Sequence, residues 1–257
     1  MSVGFAAGRR FLMTLGLVAG LVASGTAARR TVWDGVFSTA QADRGQAQYS
    51  KICVDCHGKN LEGDRDRGGI GGGGVALSGP TFATNWDSAT LNDLFQHVNK
   101  TMPANAPGSL TGPQSLELIA YIMRFNGFPV GSADLTADVE ALANVDIVGK
   151  NGFLAPGPGT PVRAVGCLAK GAGGIWVLNQ ASAPVRTKGI GASTGPDFGR
   201  AQTTALGTAT VRLLNPSTAT DAQVGAKAEA KGMLVKAADG DRISVLSLQV
   251  IAPSCVP

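Results

Sequence analysis

Cys53-Val-Asp-Cys56-His57 constrains this chain more than any other five residues in it. On a helix, two thiols three residues apart lie one turn apart. The next residue can then turn its imidazole toward whatever the thiols hold. This spacing suits thioether attachment to the two vinyl groups along one edge of a porphyrin, with His57 on the iron; C-x-x-C-H is the c-type haem attachment pattern. Two other readings use the same cysteines. Half of a zinc site would have to recruit Cys167 and Cys255, which lie far along the chain. A thioredoxin-like dithiol needs a preceding strand and a βαβ unit, and the flanking sequence has neither. With four Cys and two His in 257 residues, a multi-His metal centre is excluded. A Ser-His-Asp triad would need His57 or His97.

The N-terminus reads as an export signal over residues 1–28. Arg9 and Arg10 form a basic start, Phe11 to Ala23 is apolar except for Thr14, and small residues follow to Ala28. The apolar run is short for a membrane span. An uncleaved anchor, and hence membrane association, is the alternative. The segment holds no acid, so its removal lowers the formal charge from +4 to +2. A nearly neutral mature chain is not a nucleic-acid binder by charge. Export to a periplasmic or envelope compartment would permit disulfides.

Past the signal the chain divides in two. Residues 31–131 read as helical, 132–160 as a linker with a short helix through Leu135, Val139 and Leu142, and 161–257 as strands. The first helix is expected from Ala40 to Cys53 with Ser38-x-x-Gln41 as a capping box. A second is expected from Leu91 to Val98, after Thr90-x-x-Asp93, with Leu91, Leu94, Phe95 and Val98 on one face. A third is expected from Pro113 to Phe125, capped by Thr111 and Gln114 and stopped by Asn126-Gly127. A Gly-rich loop, Gly68–Gly79, lies between the first two helices. Its Gly69-Ile-Gly71-Gly-Gly-Gly74 matches a dinucleotide fingerprint only in form, because no strand precedes it. Asn99-Lys-Thr101 is a glycosylation sequon in form only.

Residues 31–131 resemble a class I c-type cytochrome, of the kind found as electron-accepting subunits beside quinoprotein dehydrogenases. The resemblance rests on Gly45-x-x-x-Tyr49, Cys53–Gly58, Thr101-Met-Pro103, Ala120-Tyr-Ile122 and Asn126-Gly-Phe-Pro129. It implies an all-α fold and one covalent haem c, with His57 and a Met as axial iron ligands. Met102 is the expected sixth ligand and His97 its rival; Met123 reads as core. A thioether ligand would raise the potential. The resemblance also implies a Pro carbonyl holding the His57 ring, for which Pro80 is the candidate. Arg65–Gly74 reads as an insertion that moves Pro80 away. Gly45 is expected to let the first and last helices approach closely, with Tyr49 and Tyr121 in contact.

The second half reads as five strands: 162–168, 174–178, 208–213, 226–231 and 243–250. The apolar parity slips near Val245, which predicts a β-bulge. Lys227, Glu229 and Lys231 are expected to point outward. A short helix over Pro216–Gln223, between the third and fourth strands, fits an OB-type barrel. Val165-Gly-Cys-Leu168, Gly174-Ile-Trp-Val-Leu178, Val224-Gly225 and Lys231-Gly-Met-Leu234 resemble a small secreted OB-like domain appended to bacterial envelope proteins. Cys167 and Cys255 bracket it. A disulfide is expected in an oxidising compartment, with two unpaired buried thiols as the alternative.

The expected architecture is an all-α class I cytochrome c fold followed by an all-β, small OB-like barrel. The expected function is electron relay from a dehydrogenase, by resemblance a quinoprotein, to a cytochrome or oxidase, with no catalysis by this chain. A haem enzyme or gas sensor with an open sixth position is one alternative. An envelope binding module acting through the barrel is the other. Trp176 is the only Trp or Tyr after Tyr121, so the barrel has little to stack on a nucleic-acid strand or a sugar.

Overall fold

The computed structural model describes Met1, residues 29–64 and residues 73–255. The segment expected as an export signal, except Met1, and most of the Gly-rich stretch expected as an insertion lie outside the described residues. The helical part begins with strand β1 (Arg30–Thr31). Helices α1 (Thr39–Ile52), α2 (Val54–His57), α3 (Gly79–Trp86), α4 (Leu91–Thr101) and α5 (Gly112–Phe125) follow, then α6 (Val139–Ala143) and β2 (Val145–Asp146).

Local signals place the helix starts. Thr90 with Asp93, and Thr111 with Gln114, each form a complete capping box, satisfying orphan donors reciprocally. Ser38 accepts from the Gln41 amide as expected. The other half of that box is absent, because the Gln41 side chain bonds both ways with the Leu135 backbone instead. Helix α3 has no counterpart in the sequence reading. Its Pro80 sits in the first turn, where a missing N–H costs nothing.

The long α1 and α5 cross at close range. A Cβ on Gly45 would stand 1.8 Å from the Glu117 carbonyl oxygen, so only glycine permits this approach. One turn on, the Tyr49 and Tyr121 rings meet at 5.3 Å between centroids. Met123 is fully buried in this core, as expected.

The segment expected as a linker is largely part of the helical core. Leu142, Val145 and Ile147 are buried in one cluster with Phe37, Leu91 and Ile119. Strand β2 pairs in parallel with β1, and the Trp33 indole donates to the Val148 carbonyl at 3.0 Å. The Pro- and Gly-rich stretch before residue 161 connects the two parts along the chain.

The second part is a closed barrel of five strands: β3 (Pro161–Lys170), β4 (Trp176–Ala181), β6 (Ala209–Leu214), β7 (Lys227–Ala237) and β8 (Gly240–Ala252). Around the barrel the order is β3-β4-β6-β8-β7 and back to β3, and β6–β8 is the parallel pair. A short β5 (Val185–Arg186) adds to the edge of β3. Val162, Ala164, Leu168, Leu178, Leu234 and Ile243 fill the interior. The parity slip is a bulge. Lys231 pairs with Ser247 and Gly232 with Val245, leaving Leu246 unpaired and 57% exposed.

Two expectations for the barrel are corrected. Between the third and fourth strands lies only a short 3-10 turn, Asp221–Gln223. The barrel's helix, α7 (Gly195–Thr203), instead lies before the third strand, and its Phe198 and Ala201 pack on Val165 and Ile251. Glu229 and Lys231 are buried, not outward. The stretch leading into α7 covers them, and Ser193 donates to the Glu229 carboxylate at 2.6 Å. Strand alternation gives the side of the sheet, not whether another segment lies over it. Cys167 and Cys255 are joined by a disulfide.

Candidate haem site

Helix α1 ends at Ile52, and Cys53 begins the short α2 at a bend. The His57 amide donates to the Cys53 carbonyl at 2.9 Å, so the five-residue motif is one helical turn. Cys53 is half-buried and Cys56 exposed, both as free thiols. Burial pushes the Cys53 thiol up to about 11, with Cys56 adding to the effect. Two contacts fix the far end of the turn. The Tyr49 hydroxyl donates to the Gly58 carbonyl at 2.7 Å, and the Gly74 amide to the Cys56 carbonyl at 2.7 Å.

His57 is buried, and its Nδ1 lies 2.8 Å from the Val75 carbonyl oxygen. A proton on Nδ1 donated there leaves Nε2 with a free lone pair, the arrangement that metal-bound histidines use. This corrects the Pro80 expectation. The carbonyl at the ring belongs to Val75, because Gly74 and Val75 lie against α2, while Pro80 starts α3. Gly74 lies flat against the ring; a Cβ there would stand 2.6 Å from its Nδ1 and Cε1. No side chain but glycine's fits there without moving the imidazole.

His57 and Met102 line one cavity of about 380 Å³. Its walls are mainly apolar, including Leu77, Phe82, Trp86, Leu94, Val98 and Ile122. Met102 is the residue at which α4 stops, ahead of a cis bond to Pro103. Helix α4 thus carries the apolar wall on one face and delivers the thioether at its end. His97 lines the same cavity from an exposed flank, its ring 5.5 Å from that of Trp86. Burial and the Lys188 charge lower its pKa. The donor set and the walls fit a haem. An imidazole and a thioether share a mainly apolar space, and the two thiols belong to the same helical turn as the imidazole. Among the described residues, the zinc alternative loses its other cysteines to the Cys167–Cys255 disulfide.

Asn85 and Lys188 are the other polar residues of the cavity. Lys188 belongs to the barrel part. Its ammonium stands 3.4 Å from the centroid of the Trp86 ring, a cation–π contact between the two parts. No spacing in the sequence pointed to it. Gly74 could have been singled out within its Gly-rich run; Val75, contributing a backbone carbonyl, could not. The Asn99 amide donates to Leu110 and Ser115, both at 3.0 Å, so the side chain of the sequon is structural.

Residues 40–122 match the family described as cytochrome C oxidase, cbb3-type, subunit III. No match was found among curated proteins or among solved structures. The matched span holds Cys53, Cys56, His57, Met102 and the helices around the cavity. The barrel lies outside it. Over this span the chain is similar to a c-type cytochrome domain, and the likeness supports a haem-based electron-transfer role with redox proteins as partners.

Proposed function

We propose that this chain is an exported electron-transfer protein carrying one covalent haem c, bound through Cys53 and Cys56 and held axially by His57 and Met102. The observation that carries the reading is that His57 and Met102 line the same mainly apolar cavity, and that His57 shares one helical turn with the paired thiols. When bound, haem supplies a one-electron iron couple. The chain supplies the rest. Val75 holds the proton of His57 on Nδ1, so that Nε2 is available. Trp86, Leu94, Val98 and Ile122 exclude water, and a Met thioether favours the reduced iron. With both axial positions filled, no site is open to a substrate, and relay is what remains.

The electrons would come from a dehydrogenase, by resemblance a quinoprotein, and pass to a cytochrome or oxidase. The barrel, which we read as OB-like from its strand order, would serve docking. No helix among the described residues is long and apolar enough to cross a membrane. The reading places the protein in the periplasm or envelope, with residues 1–28 as its export signal. His97 carries the competing ligand set, because it lines the same cavity. Optical spectra decide between them. Met ligation gives the ferric protein a weak long-wavelength sulfur-to-iron charge-transfer band, which Met102→Ala should abolish and His97→Ala should leave. A wild type without that band that binds carbon monoxide readily would overturn the relay.

A further inference from the structure

A second cavity, of about 490 Å³, lies where the barrel meets the helical part. Three guanidiniums line it: Arg29 before β1, Arg163 on β3 and Arg200 on α7. Arg29 is held by Asp146, to which its Nε and Nη2 donate at 2.9 and 2.8 Å. Arg200 pairs with Asp197 at 3.0 Å and reaches Asp146 only at 3.6 Å. Arg163 has no ion pair or hydrogen bond from its side chain among the described residues, although it is only 7% exposed and its Nε is fully enclosed. One Nη1 each of Arg29 and Arg200 is likewise enclosed and without a hydrogen-bond partner. Burial lowers the Arg163 pKa to about 10; Arg200 adds to the effect, and the Glu229 and Asp146 carboxylates offset part of it without pairing with the guanidinium. Glu229 stands nearby, but Ser193 and, at 3.8 Å, Lys231 already engage it.

The charges around the cavity do not cancel. Asp146 and Asp197 answer two of the three guanidiniums and leave one positive charge buried. Leaving a buried charge unpaired is costly, and a planar guanidinium is best answered by a carboxylate. The rest of the lining is mixed: Phe153, Ala183, Val185 and Ala205 form an apolar side, and Ser182, Thr203 and Thr204 bring hydroxyls. We infer that this interdomain cavity binds a small organic monocarboxylate, its carboxylate on Arg163 and Arg200 and its apolar body against Phe153 and Val185. A single excess charge favours a monoanion over a phosphate dianion, and the apolar wall favours an organic acid over an inorganic ion. The site lies apart from the haem cavity and is independent of the electron-transfer reading.

Calorimetric titration of the purified full-length protein tests it, with hexanoate, hexanamide and inorganic phosphate as probes. Hexanoate should bind one per chain and raise the melting temperature; hexanamide should do neither, and phosphate should not compete. Arg163→Met should weaken hexanoate binding at least tenfold while melting higher than wild type without ligand, because it removes an unpaired buried charge. If that variant fails to fold, Arg163→Lys keeps the charge without the planar fork, and the same tenfold loss is expected. Equal binding of hexanoate and hexanamide, phosphate binding in place of hexanoate, or no heat with hexanoate would each overturn the proposal.

Discussion

The helical part and the barrel solve the problem of a core in opposite ways. The barrel is complete in its own side chains: Val162, Leu168, Leu178, Leu234 and Ile243 fill it, and a disulfide closes its tail. The helical part packs Phe37, Leu91, Ile119 and Met123 tightly. Beside them it keeps an apolar cavity with an imidazole and a thioether on its walls. Space of that kind forgoes the contacts that stabilise a close-packed interior. The difference teaches that the two parts draw stability from different covalent links. In the proposed reading the helical part would depend on the haem its thiols attach, and the barrel on the bond between its own cysteines.

The comparison is broken most sharply at the motif. Replacing Cys53 and Cys56 by Ser, or His57 by Ala, should abolish haem attachment or its ligation, read by haem staining and absorbance. The helical part should then lose most of its stability, while the barrel's denaturation changes little. The converse is Cys167→Ser with Cys255→Ser. The bond spans 88 residues, and its loss should cost the barrel roughly 4 kcal/mol in urea unfolding. The haem spectrum should not change.

Gly45→Ala tests the helix crossing without touching either link. Its Cβ would strike the Glu117 carbonyl, and a loss of roughly 1–3 kcal/mol is expected, confined to the helical transition. Lys188→Gln tests whether the parts communicate. Removing a positive charge from the haem cavity favours the oxidised iron, so the midpoint potential should fall by tens of millivolts. An unchanged potential would mean the barrel is electrostatically silent. The smallest effect concerns the haem-free chain. A raised thiol pKa lowers the thiolate fraction at any given pH, and Cys53 is the more buried of the pair. Alkylation near pH 8 should therefore reach Cys56 first, as peptide mapping after timed quenching would show.

The legible elements share one property: the atoms that decide them are close in the chain. Thr90 with Asp93 and Thr111 with Gln114 act within one turn, and both boxes form as read. Gly45 and Tyr49 announce a crossing because glycine in a helix calls for a packing reason. The slip of parity near Val245 is a bulge because alternation is itself local. Where a distant segment competed, the reading failed. Gln41 abandons its box for the backbone of Leu135, and although the short helix expected through Val139 and Leu142 forms, its packing into the helical core went unread because its partners lie far back in the chain. Helix α3 escaped because eight residues opening on Gly-Pro carry too little periodicity.

By itself the sequence set out the candidate chemistry: the C-x-x-C-H turn proposed to attach haem at Cys53–His57, one thioether at Met102 following an amphipathic helix, and two cysteines expected to pair. These depend on residue type and short spacing, which folding does not alter. Only the tertiary structure decided that Val75 and not Pro80 faces His57, that Glu229 and Lys231 are covered, and that Lys188 of the barrel reaches the haem cavity. It alone left Arg163 buried without an ion pair or hydrogen bond among the described residues. Each of these depends on how segments tens of residues apart come to lie against one another, and packing at that range leaves no periodic mark in the chain.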